Sequence, residues 1–191
     1  MSTDWDYFNN NTRITVIQSL VLSIINYGIS IWGTTNSTQI ERVQKLQNFA
    51  AKVALGGASK SEHVTPFLKE LRWLKINQIH KYEIATTVYN LVNKKFPNWL
   101  FPLPTVSDIN AHSVNTRQTE QLHVPRCNTY LGNRSFSVAA PTLWNSLPNY
   151  IKYATSLTLF KKRLKNHLLS KQFQLWFFIC RSSDLNKFFS K

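Results

Sequence analysis

The stretch TQIERVQKLQNFAAKVALGG, Thr38 to Gly57, decides the fold class. Thr38-Gln39-Ile40-Glu41 has the form of a capping box, in which hydroxyl and carboxylate each satisfy a backbone N–H left bare by the first helical turn. Ile40, Val43, Leu46, Ala50, Val53 and Ala54 then recur at helical spacing, and Gly56-Gly57 supplies a stop. Arg42 falls inside that apolar arc, between Phe49 and Val53 on a helical wheel. Its stem can snorkel at the rim of a core, or its guanidinium can be held near a phosphate; the first reading is preferred.

Toward the N-terminus the same period continues. A first helix is predicted from a Thr12 cap through Ile14, Ile17, Leu20, Val21, Ile24 and Ile25 to Gly33. Ile14 to Ile40 carries no charged side chain, and Ile14 to Trp32 has about the length of a bilayer span. However, Thr15, Ser19, Ser23, Asn26 and Ser30 fall in one stripe on such a helix, and Gly28 weakens it as an isolated span. The pattern fits a core helix whose polar stripe touches other backbones or a groove, with no membrane span. Residues 1–11 contain Asp4, Asp6 and a run of Asn, so they read as a disordered N-terminus without a secretory signal.

Toward the C-terminus, Thr65-Pro66 reads as N-cap and first helical residue of a short helix through Leu71. A longer helix carries Ile76, Ile79, Ile84, Val88, Leu91 and Val92 and stops near Lys95, ahead of Pro97. Residues 97–134, with Pro97, Pro102, Pro104 and Pro125, read as a loop-rich connector. Within it His123-Val124 and Thr129-Tyr130-Leu131 are candidates for a short strand pair. Helical signal returns over Phe136 to Trp144, with Pro141 marking a break or a new start, and again from Ser156 to Leu168. The residues from Ser170 on, 170–191, read as an ill-defined aromatic tail. The expected fold is therefore mostly α, with helical parts over 12–96 and 135–169 joined by a long loop.

Charge separates the two halves. Of 191 residues, 23 are Lys or Arg and 9 are Asp or Glu, a net charge of +14. Nine bases and six acids lie up to Glu83, but fourteen bases and three acids follow, and Gln121 to Ser183 contains no acid. Such an excess of base predicts an anionic partner, nucleic acid first and an anionic membrane surface second. Arg126, Arg134, Lys161, Lys162, Arg163 and Lys165 are the candidate phosphate contacts. Tyr130, Phe136, Trp144, Tyr150, Tyr153 and Phe160 interleave with them, a composition suited to single-stranded or irregular nucleic acid. Most of these aromatics sit at apolar helical positions, so core packing is the preferred reading for them.

Little points to catalysis. The four aspartates, Asp4, Asp6, Asp108 and Asp184, form no adjacent pair of the kind that bridges two catalytic metal ions. No phosphate-binding Gly-x-x-x-x-Gly-Lys loop and no Gly-x-Ser-x-Gly elbow occurs. Cys127 and Cys180 lie 53 positions apart outside any Cys-x-x-Cys pair, which favours a reducing, intracellular compartment over a disulfide-stapled secreted domain. No catalytic residue, metal site, cofactor or small-molecule substrate is expected.

Four segments carry a resemblance: SLVLSIINYGISIWG (Ser19–Gly33), IERVQKLQNFAAKVALG (Ile40–Gly56), HVTPFLKELRWLKINQIHKYEIATTVYNLVN (His63–Asn93) and SFSVAAPTLWNSLPNYIKYATSLTLFKKRLKNHLL (Ser135–Leu169). In that order they resemble the region after the palm in reverse transcriptases of non-LTR, LINE-type, jockey-like retrotransposons. The resemblance implies a thumb-like helical subdomain over 12–96 and a basic C-terminal helical region over 135–169, which in the family hold template and primer beside the palm. The family's endonuclease, its finger and palm motifs with the Tyr/Phe-x-Asp-Asp carboxylates, and its Cys/His knuckle have no counterpart here. None of its catalytic residues is therefore carried over. Thumb-like sequence so soon after Met1 resembles a reading frame truncated at its 5′ end, and the tail after Ser170 departs from the family pattern. The expectation is a non-catalytic fragment that binds RNA or DNA non-specifically, in the nucleus or a cytoplasmic ribonucleoprotein. A protein-interaction module, docking for example on a full-length reverse transcriptase, a membrane-surface protein, and a functionless relic are the alternatives.

Overall fold

A computed structural model describes residues 8–56, 62–93, 103–109 and 121–188, with their side chains up to Gln174. The fold is mostly helical, with no strand among the described residues. The chain divides into two compact units, Met1–Ile79 with Asn166–Lys191, and His80–Lys165. The boundaries fall inside two helices, α6 (Ile76–Val92) and α11 (Leu157–Phe188).

In the first unit, the single N-terminal helix expected up to Gly33 is divided. α1 (Asn10–Ile17) is capped by Asn9, whose Oδ1 accepts from the Thr12 backbone N–H at 2.8 Å. The expected cap, Thr12, instead lies inside the first turn and donates its hydroxyl to the same oxygen. A π-helical turn, Gln18–Leu22, follows, then α2 (Ser23–Asn26) and α3 (Ile29–Trp32). The break before α3 lies at Tyr27, with ψ 120°, and Gly28, whose φ of +63° suits glycine.

The π turn changes which residues face the core. Its extra residue shifts the buried face from Ile17 to Leu22, Ile25 and Ile29. Leu20 and Ile24, expected inside, are instead 62% and 76% exposed. The polar stripe is corrected too. Four of its five members, Thr15, Ser19, Ser23 and Asn26, are exposed, and Ser30 is half-buried. Three of the hydroxyls donate to carbonyls of their own helix: Thr15 to Asn11, Ser19 to Val16 and Ser23 to Ser19.

α4 (Ser37–Ala54) is the helix that the sequence marks most strongly. Its cap is Asn36 and not Thr38; the Asn36 side chain accepts from the Thr38 N–H at 3.3 Å. The buried face is Ile40, Gln47, Ala50, Ala51 and Ala54, so α1 packs against small alanines while Arg42, Leu46 and Phe49 remain exposed. Gly56 ends the helix with φ +99°. A Cβ there would stand 3.2 Å from Nη1 of Arg13, a buried arginine of α1 whose positive charge lies at the negative end of α4.

α5 (Thr65–Glu70) starts with Val64 at its cap and Pro66 in its first turn, one residue earlier than expected. It closes with paired bonds, Trp73 N–H to Leu68 O and Arg72 N–H to Lys69 O, around Arg72 at φ +52°. The next residues, Trp73 to Lys75, leave helical geometry although Trp73 and Leu74 are buried. Buried backbone polar groups must find partners. Three glutamines supply them. Gln47 Nε2 donates to Leu74 O at 2.8 Å, Gln44 Oε1 accepts from Ile76 N–H at 2.9 Å, and Gln172 of α11 accepts from Lys75 N–H at 2.8 Å and donates to Trp73 O. Gln44 also donates to Gln47 Oε1, which completes the buried amide. Around this latch lies the apolar cluster of Ile17, Leu22, Ile29, Ile40, Leu68 and Ile76, with Phe173 packed on its edge.

The second unit holds most of α6, then α7 (Val106–Ile109), α8 (Tyr130–Asn133), α9 (Phe136–Asn145), α10 (Asn149–Lys152) and the start of α11. The strand pair expected between 123–124 and 129–131 does not form. Thr129 caps α8 through its hydroxyl to the Gly132 N–H, which draws Tyr130 and Leu131 into a helical turn. Among the described residues one antiparallel bridge joins Thr105 to Leu122, and the Asn145 amide holds both backbone polar groups of Leu122. Pro141 lies inside an unbroken α9, buried on its inward face, where a break or new start was expected. The carbonyl that a proline leaves without its helical donor belongs to Ser137, an exposed residue. α11 runs on to Phe188, so the backbone of the expected tail continues the helix; Leu157 to Phe188 contains no Gly or Pro to stop it. Phe160 is fully buried, stacked on Tyr89 with ring centres 4.3 Å apart, and its ring is tilted against that of Trp144 at 6.1 Å. Among the described residues no helix is long and apolar enough to cross a membrane.

Candidate nucleic-acid interface

α11 positions the densest cations. Phe160, Leu164 and Leu168 face inward at steps of four, which turns Lys161, Lys162 and Lys165 outward. All three are exposed, within five residues of one another on a rigid element. Arg163 differs: it is half-buried and its Nη1 donates to Tyr150 O at 2.6 Å, which ties α11 to α10. It acts as a clasp within the protein. Arg126 is exposed on the irregular strand of chain before α8. Arg134 caps the end of α8 half-buried, its guanidinium 5.3 Å from the ring centre of Tyr130. The six predicted cations therefore separate by role. Three form an outward row on α11, one is exposed on a loop, and two are engaged with protein groups.

The row is not wholly without an acid. Burial pushes the Glu83 carboxyl of α6 up, and the charge of Lys161 pulls it back down. The acid that feels the charge of Lys161 lies 78 positions away in the sequence, outside the acid-free run. Lys152, absent from the predicted set, is half-buried; burial pushes its ammonium down, and Nζ donates to Asn145 O.

The aromatics also separate. Phe160 and Trp144 are buried and Phe136 is half-buried, as a core reading expects. Tyr130, Tyr150 and Tyr153 are 75%, 55% and 66% exposed, against that reading. The signal for one of them was present: Leu147, Ile151 and Ala154 mark an inward stripe and Tyr153 falls off it, whereas Tyr150, three residues after Leu147, falls on that stripe and is exposed all the same. Among the described residues no three His, Cys, Asp or Glu lie close enough together to hold a metal ion.

Compared with protein-family models, with curated proteins and with solved structures, the chain finds no match.

Proposed function

We propose that this chain is a non-catalytic nucleic-acid-binding module. It would bind RNA or DNA non-specifically, through phosphate contacts to the cationic face of His80–Lys165. The observation that carries the reading is the outward row of Lys161, Lys162 and Lys165 on one rigid helix, with Arg126 as a further exposed cation. Phosphates are bound by such cations with release of counterions, so affinity depends on salt more than on sequence. The resemblance to the post-palm region of LINE-type reverse transcriptases supports the same partner and the same absence of chemistry. The test is fluorescence-anisotropy titration of RNA and DNA over a salt series. The reading expects log K to fall linearly with log salt, with little change between sequences. Binding that ignores salt, or no binding at low salt, overturns it.

A second reading, a docking surface for a protein, is favoured by a different observation. Leu20, Ile24, Tyr27 and Ile31 recur at steps of four, three and four and are all exposed, in a stretch with no charged side chain. A partner docking there, such as a full-length reverse transcriptase, would remain bound in high salt. It would be released by Ile24→Ser together with Ile31→Ser. Release by salt alone counts against this reading.

A further inference from the structure

We infer that Tyr130 and Arg134 form a binding site for one nucleotide of a single strand, the ring stacking on its base and the guanidinium holding its phosphate. The inference rests on the phosphate-binding reading above and adds to it the class of ligand and a site outside α11. The two residues are four positions apart, and Arg134 lies over the ring of Tyr130, 5.3 Å from its centre. A guanidinium covers only one face of a ring. Tyr130 is 75% exposed, so its other face is open to solvent. Among the described residues no carboxylate or carbonyl accepts from the guanidinium of Arg134. A planar guanidinium can stack on a ring and still present N–H donors at its edge to a phosphate.

The turn that carries the pair is held in place. Thr129 Oγ1 accepts from the Gly132 N–H at 3.1 Å, and Thr129 O accepts from the Asn133 N–H at 3.1 Å. Sγ of Cys127 lies 1.9 Å from the place a Cβ at Gly132 would take, so the contact admits only glycine there. That contact brings the backbone of Arg126, the exposed residue before Cys127, beside the same turn. No acid occurs from Gln121 to Ser183, so the segment offers an anion two cations and no carboxylate of its own. A single strand requires this combination: cations for its backbone and a flat face for an unstacked base. A duplex keeps its bases stacked on each other and offers only its phosphates. Tyr130 can then discriminate where a cation alone cannot.

The experiment uses the full chain and titrates it over a salt series with an oligothymidylate, an abasic oligomer and a duplex DNA of equal length. Tyr130→Ala is compared with Tyr130→Phe, and Arg134→Gln with Arg134→Lys, with far-UV circular dichroism as the check on folding. If Tyr130→Ala loses helicity, Tyr130→Leu takes its place, since leucine keeps bulk without an aromatic face. Tyr130→Ala should lose roughly five- to hundredfold on the oligothymidylate. The abasic oligomer and the duplex, which offer no free base, should change by less than about twofold, and phenylalanine should restore the affinity because stacking needs the ring. Arg134→Gln should make the slope of log K against log salt on the oligothymidylate shallower by about 0.7, the share of one phosphate, and Arg134→Lys should keep it. Equal losses on the oligothymidylate and the abasic oligomer overturn the inference. So does unchanged oligothymidylate binding in Tyr130→Ala, or an unchanged salt slope in Arg134→Gln. In these cases the phosphate reading stands if Lys161→Glu with Lys165→Glu still abolishes binding. If the unaltered chain binds none of the three, both readings fail.

Discussion

The two units use polar side chains in opposite ways. In Met1–Ile79 with Asn166–Lys191, polarity is turned inward: Gln44, Gln47 and Gln172 satisfy the buried backbone of Trp73 to Ile76. Apolar side chains, Leu20 and Ile24 among them, are left outside. In His80–Lys165, the interior is aromatic and aliphatic around Phe160, and the polar groups of interest, three lysines and three tyrosines, face outward. A neutral amide can be buried because its donors and acceptors can all be matched locally. An ammonium can seldom be buried at tolerable cost, so cations collect where solvent or an anionic ligand can meet them. The first unit is therefore read as scaffold with an apolar face, the second as a charged binding surface.

This contrast can be broken from either side. The largest expected effect is in the second unit. Phe160→Ala removes a fully buried ring stacked on Tyr89 and should cost about 3–5 kcal/mol in urea unfolding. Nucleic-acid binding should fall with it, because Lys161, Lys162 and Lys165 follow Phe160 on the same helix. Retained stability would mean that the second unit does not depend on this core.

Next in size is Gln47→Ala in the first unit. It strips the Leu74 carbonyl of its donor and leaves a cavity at a fully buried site, for a loss of about 2–3 kcal/mol. Binding, measured where the variant is still folded, should stay within about twofold of the unaltered chain, since no phosphate contact is touched. A strong loss of affinity without unfolding would show that the two units do not divide their work in this way.

Helical class was legible in the sequence because it rests on local periodicity, and Thr38–Gly57 carries that period with a stop at its end. Caps were less legible. Asn9 and Asn36 displaced Thr12 and Thr38, since two good capping residues within a few positions compete and local geometry decides between them. The π turn at Gln18–Leu22 could not be read at all. One extra residue in a helical turn leaves the composition unchanged, yet it moves Leu20 and Ile24 from inside to outside. The glutamine latch was equally hidden, because Gln47 and Gln172 meet the same loop from 125 positions apart. Of the candidate site, the α11 lysines were legible from helical spacing. The inward commitment of Arg163 and the approach of Lys161 to Glu83 close enough to pull its carboxyl down depend on tertiary placement that no local pattern encodes.

The most direct test of the cationic-face reading is the salt slope of binding before and after Lys161→Ala, Lys162→Ala and Lys165→Ala are combined. Each lost phosphate contact should reduce the slope of log K against log salt by about 0.7 on a single strand or 0.9 on a duplex. The triple variant should therefore bind more weakly at low salt, with a slope shallower by about two to three. An unchanged slope would contradict the account, since it would mean that the lysines of α11 touch no phosphate.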